Sequence, residues 1–155
     1  MKRKELMAAL LASAAEPPRV FDPDRMIRIP DCHSIIEVLR LIKHGGPEWA
    51  SRYVSMWFDG GSNGWVLVYP LQETSEPYFD FMYTGDLAPQ KVFAALLAKY
   101  PQCRVMDSAV GRIACVIVEG GEVERLAEII RAFTEAAWGE GVAVVDVSYE
   151  EMGRA

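Results

Sequence analysis

The chain has 155 residues, of which 51% are hydrophobic and 25% charged, and a formal net charge of −6. This size and balance predict one domain, 1–155, with a substantial core, and exclude a disordered or low-complexity protein. The acidic field disfavours a nucleic-acid partner, since among the 16 Lys and Arg only Lys2-Arg3-Lys4 is a run, and no apolar stretch approaches the roughly 20 residues that span a bilayer.

In chain order, the first segment reads as an amphipathic helix with Met7, Leu10, Leu11 and Ala14 on one side. Its basic-then-apolar order also imitates a secretory signal, interrupted by Glu5. Pro17-Pro18 and Asp22-Pro23-Asp24 predict a stiff, extended connection. Residues 25–29 suit a short strand that Pro30 confines to a sheet edge. Asp31 or Ser34 can cap a helix ending near residue 43, whose Ile35, Ile36, Leu39 and Ile42 share one face. Gly45-Gly46-Pro47 ends it, with glycine expected to supply the terminating conformation. One further turn is expected over 48–52.

Residues 53–58 and 65–69 are β-branched and aromatic runs flanking Asp59-Gly60-Gly61-Ser62-Asn63-Gly64, a hairpin signature. The second run is apolar on both sides, so both sides are expected to be covered. After a polar loop, residues 78–84 alternate, with Phe79, Phe81 and Tyr83 opposed to Tyr78, Asp80, Met82 and Thr84. Pro89 opens a helix carrying Val92, Phe93, Leu96, Leu97 and Tyr100. Residues 103–107 and 112–118 form a second hairpin, whose return strand is apolar on both faces and therefore interior. Gly120-Gly121 opens the longest helix, with Val123, Leu126, Ile130, Phe133 and Ala137 aligned. Residues 142–149 make the last strand.

The fold class this predicts is α+β, a mostly antiparallel sheet with helices packed on it. Over 78–149 the order is βαββαβ, a ferredoxin-like split βαβ unit, preceded by helical additions (1–48) and a hairpin (53–70). A second arrangement joins the strands from 53, 65 and 78 into a meander: helix, three strands, helix, two strands, helix. In element order, size and charge this is similar to the small acidic chaperones that bind secretion effectors, which dimerise and lack catalysis. The strand at 142 is extra to that order.

Several residues bear on chemistry. Trp57-Phe58-Asp59-Gly60-Gly61-Ser62-Asn63-Gly64 resembles the first-strand motif of the ribonuclease H superfamily, in which an aspartate after a hydrophobic strand binds a divalent metal. Val105-Met106-Asp107-Ser108 resembles that superfamily's later strand-end Asp-Ser. The resemblance implies a metal-dependent nuclease with Asp59, Asp80 and Asp107 as ligands, sharing metals about 4 Å apart. The helix over 88–100 carries no acidic residue where that family takes a glutamate, and a strand rather than a helix follows Asp107-Ser108.

His33 and His44, the only histidines, lie about three helical turns apart, roughly 16 Å. Cys32 beside His33 at a helix start has the composition of a nucleophile pair without an orienting third group. Gly120-Gly121 is ringed by Glu119, Glu122 and Glu124, which oppose phosphate. Cys32, Cys103 and Cys115 form no CxxC pair, which argues against a disulfide framework or a zinc site. Buried thiols in a reducing cytoplasm are the expectation, with Cys103 and Cys115 on neighbouring strands.

The aromatic distribution is the strongest lead. Ten of the sixteen aromatic residues fall between Trp49 and Tyr83. One set of helices covers one face of a sheet; the two N-terminal helices either cover the other, making its aromatic residues core, or leave an aromatic surface of the kind that marks an interface. The expectation is a cytoplasmic, non-catalytic binding or regulatory module without cofactor. It engages a protein partner, itself as a homodimer, through Trp57, Trp65, Tyr69 and Tyr78. A small-ligand regulatory domain and the degenerate ribonuclease H-like nuclease are the alternatives.

Overall fold

The computed structural model describes residues 26–60, 63–109, 112–120 and 122–151. The helix expected around Met7–Ala14 and the extended segment after it lie outside the described residues. The strands are β1 (Ile27–Arg28), β2 (Arg52–Phe58), β3 (Trp65–Val68), β4 (Tyr78–Met82), β5 (Cys103–Ala109), β6 (Ile113–Val118) and β7 (Val144–Glu151). They form one sheet of order β1-β7-β2-β3-β4-β6-β5 in which every pairing is antiparallel. The helices are α1 (Ile35–His44), α2 (Pro89–Val92), α3 (Ala94–Lys99) and α4 (Val123–Trp138), with a 3-10 turn over Pro47–Ser51. The α+β class and the antiparallel sheet are as the sequence predicts. No described helix is long and apolar enough to cross a membrane.

The strand order departs from a complete βαββαβ unit. β4, the α2–α3 crossover and β5 flank β6 as a split βαβ requires, but β7 does not return beside β4. The hairpin of β2 and β3 sits between them, and β2, β3 and β4 run as a meander. Helix length permits this. The 16 residues of α4 reach about 24 Å, and the four strand spacings from β6 to β7 take about 19 Å. The chain therefore crosses the inserted hairpin without a long loop. The meander is the one expected in the second arrangement, with β1 and β7 added at one side.

Local chemistry sets the element ends. Ser34 rather than Asp31 caps α1: its Oγ accepts the Glu37 N–H at 3.3 Å, and the Glu37 carboxylate accepts the His33 N–H, one residue before the cap, at 3.4 Å, close to the reciprocal pattern of a capping box. Gly45 ends α1 in a right-handed conformation (φ −75°), not the left-handed one expected. Its small size is needed because a Cβ there would lie 2.4 Å from the Leu41 carbonyl oxygen. The helix expected over 88–100 is two short helices broken at Phe93 (φ −100°, ψ 21°). Phe93 drives its ring into the core, and Val92, expected inside, is exposed.

One face of the sheet carries the main core. Val54, Met56, Val66, Val68, Phe79, Phe81, Ala114, Val116 and Val147 meet Val38, Leu39 and Ile42 of α1 and Leu126, Ile129, Ile130 and Phe133 of α4. Ile129 and Thr134 complete the buried stripe of α4, while Ala137, expected there, is half-buried. Phe133 is the hub, with ring centroids 6.0 Å from Phe79, 5.9 Å from Phe81 and 5.2 Å from Phe93. Cys103 belongs to this face and Cys115 to the other, so these thiols, though on neighbouring strands as expected, do not sit side by side.

Candidate functional site

The opposite face of the sheet is the candidate site. Strand alternation brings to it Tyr53, Ser55 and Trp57 from β2, Trp65 and Leu67 from β3, Tyr78 and Asp80 from β4, and Ile113, Cys115 and Ile117 from β6. Tyr69 follows β3 on the same side. A register row crosses the sheet through Ser148, Ser55, Leu67, Asp80 and Cys115 to Asp107. Asp107 joins this row only because of an irregularity in β5 between Val105 and Asp107, where Met106 is the additional residue.

The four aromatic residues singled out from sequence all occupy this face. Trp57 and Trp65 are direct cross-strand neighbours and both are half-buried. Tyr78 is half-buried and lies with Trp65 and Ala109 against Ile113 and Cys115, a cluster whose described members all come from strands. Its ring centroid is 4.4 Å from that of Tyr69. Tyr69 itself is only 1% exposed, and its O–H donates to Asp80 Oδ2 at 2.5 Å. Asp80 is 0% exposed and Glu150, on β7, is also buried. Carboxyl groups out of water demand donors, so the polar part of this face is as specified as its aromatic part. Periodicity placed Asp80 on the correct side of β4, but nothing local in the sequence marked its bond to Tyr69.

The sheet spreads the three candidate metal ligands. Asp80 and Asp107 flank Cys115 in the register row, a separation of two strand spacings or about 10 Å. Asp59 lies at the end of β2, exposed, where its Oδ1 accepts the Ala143 N–H at 2.8 Å and its own N–H donates to the Ala143 carbonyl at 2.9 Å. It fastens the hairpin to the start of β7. Asp107 Oδ1 accepts the Ser108 N–H at 2.9 Å. Among the described residues no three His, Cys, Asp or Glu side chains converge as a metal site.

The thiol beside His33 is not an activated nucleophile. Burial first, then the carboxylates of Glu37 and Asp31, push the Cys32 pKa up, opposite to the shift a reactive thiolate needs. Burial alone raises Cys103 to about 11.

A concavity of about 450 Å³ lies at the sheet rim between the loop around Asp86 and the end of α4, lined by Tyr83, Leu87, Val92, Phe93 and Trp138 among others. The Tyr83 O–H donates to the Leu87 carbonyl and holds the loop over the ring. Sequence periodicity placed Val92 in the core and so missed this cleft. The chain matches no known protein family, no curated protein and no solved structure.

Proposed function

We propose that the chain is a non-catalytic binding module that engages a protein partner through the second face of its sheet, with Trp57, Trp65, Tyr69 and Tyr78 as the contact residues. The observation that supports this is the second apolar layer. Trp65 and Tyr78 pack with Ile113 and Cys115 on the face opposite the described helices. Half-buried tryptophan and tyrosine supply large contact area with few rotatable bonds, which is why they dominate interface energetics. Tyr69 contributes from beneath, fixing Asp80 and supporting the Tyr78 ring.

The test is the double substitution Trp57→Ser, Trp65→Ser in the full chain. It should leave folding cooperative, because neither residue belongs to the main core, and should abolish partner capture that the unaltered chain shows in the same pull-down. Solution mass of both proteins reads whether a second copy is the partner. Loss of the folded state in the double variant would sink the reading.

A small-ligand regulatory role is the second reading, favoured by the 450 Å³ cleft beside Trp138, a volume in the range of ligand sites. A thermal-shift screen with amino acids and nucleotides should raise the melting temperature for a true ligand, and Trp138→Ala should cancel that rise.

A further inference from the structure

The sheet ends differently at its two described margins. At one, β1 has only the two residues Ile27–Arg28, and Arg28 is tied to Asp146 at 3.0 Å. At the other, β5 runs for seven residues, Cys103–Ala109, and pairs with β6 alone among the described strands. Arg104, Met106 and Asp107 are exposed on it, Met106 at 44%. Neither charged residue has an ion-pair partner among the described residues. An open edge of this length is a template for another strand. We propose that two copies of the chain join antiparallel along β5 and continue the sheet across a two-fold axis.

Charge and register select a second copy as the occupant. Residues three apart on a regular strand point to opposite faces. On β5 the additional residue at Met106 shifts the alternation. Arg104 pairs with Ile117 and Asp107 with Cys115, so both charges stand on the second face. They flank Val105 and Met106 symmetrically, one positive and one negative. With the two-fold axis between Val105 and Met106, each Arg104 lies opposite Asp107 of the second copy. Val105 then faces Met106, and Cys103 faces Ser108, both of them first-face positions. In a regular strand Arg104 and Asp107 would sit on opposite faces and could not meet. A bulge and two charges often guard an edge against pairing; here they are complementary to themselves. A two-fold contact uses one patch twice, so the dimer gains two opposite-charge cross-strand pairs. A foreign extended peptide can add to the same edge by main-chain bonds, but only a second copy brings this matched pair. The inference does not rest on the second-face reading, since Trp57 and Trp65 lie on β2 and β3, inward of β4 and β6.

The test is charge exchange in the full chain, read by analytical sedimentation. The unaltered protein should run as a dimer, near twice its 17.3 kDa, and dissociate on dilution. Arg104→Asp alone, or Asp107→Arg alone, sets like charges opposite each other twice and should weaken the dimer about tenfold or more. Mixing these two variants should restore a dimer holding one of each. Both substitutions in one chain should restore it too. Trp57→Ser with Trp65→Ser should leave the dimer intact. A monomer at every concentration overturns the proposal. So does a dimer that ignores both reversals, that weakens without rescue in the mixture, or that is lost in the tryptophan variant. The unaltered chain gives a second measurement that no folding defect can blur. Amide exchange across β5 should slow as the chain is concentrated, while exchange in β1 stays constant. Exchange in β5 that is independent of concentration overturns the proposal as well.

Discussion

The two faces of one sheet are built by different rules. On the first, alternate residues at the centre of the inner strands are apolar (Val54, Met56, Val66, Val68, Phe79, Phe81, Ala114, Val116), with the Arg52–Glu151 ion pair at one margin, and α1 and α4 pack on them. On the second, the same strands present Ser55, Leu67, Asp80 and Cys115 in one row, with buried Glu150 and Ser148 on β7. An all-apolar layer needs only volume and shape from its partner. A layer with buried carboxyl groups also needs donors in fixed places. The first face therefore secures folding, and the second, in the binding role proposed for it, has the chemistry to discriminate among docking surfaces.

The largest way to break this contrast is to empty the first face. Phe133→Ala should cost about 3–5 kcal/mol, a large part of the ~5–15 kcal/mol that holds a domain of this size. Guanidinium titration reads the loss. Trp57→Ser with Trp65→Ser should cost less than half as much. Equal losses would mean that the faces are both simple core.

A second substitution sharpens how the hairpin joins the first face. A Cβ on Gly64 would lie 2.4 Å from the Trp138 ring, and Phe58 packs on that ring at 5.4 Å between centroids. Gly64→Ala should therefore cost about 1–3 kcal/mol through overpacking. In a Trp138→Ala background the same change should cost almost nothing, and a double-mutant cycle by urea titration reads the difference. Persistence of the full cost would place the effect in the Gly64 backbone instead.

On the second face, Tyr69→Phe deletes the O–H that reaches Asp80 while keeping the ring against Tyr78. Leaving part of a buried carboxyl unsatisfied should cost about 1–2 kcal/mol, seen as a lower denaturation midpoint with unchanged slope. Partner capture should survive, because the contact area survives. Loss of capture at full stability would move the recognition chemistry from the rings to the Tyr69 hydroxyl.

These differences explain what was legible in the sequence. Strand periodicity put Phe79, Phe81 and Tyr83 on one side of β4 and Asp80 on the other, and the apolar run of β6 declared it interior; both follow from side-chain alternation alone. The cap of α1 was narrowed locally to Asp31 or Ser34, and the structure selects Ser34 with Glu37 as its partner. Strand order was not, since β7 chooses β2 over β4 through pairings remote in sequence, and only the length of α4 hints that it can. The break at Phe93 depends on Phe81 and Phe133, which sit on other elements. At the site, the aromatic concentration pointed to Trp57, Trp65, Tyr69 and Tyr78, and alternation placed them together. The Tyr69–Asp80 bond joins neighbouring strands and has no local signature, and Asp59, read as a metal ligand, proves to hold the Ala143 amide.

The smallest expected effect isolates the first face by pH. Burial raises Cys103 to about 11 from an ordinary 9.0, so the folded chain keeps this proton where the unfolded chain releases it. The stability tied to it is whole below pH 9 and is lost as the pH climbs toward 11. A thiol wholly sealed from water would carry about 2.7 kcal/mol over such a rise. Cys103 lies on the outermost strand β5, where water relieves the thiolate, so the expected loss is on the order of 1 kcal/mol. Lysines and tyrosines titrate in the same window, which makes the comparison with Cys103→Ala the informative one. The unaltered chain should lose more stability than the variant between pH 9 and 11, and the two should run parallel below pH 8. Parallel curves throughout would show that the thiol beneath the first face is already wet, and that this face is sealed less completely at β5 than at its centre around Phe133.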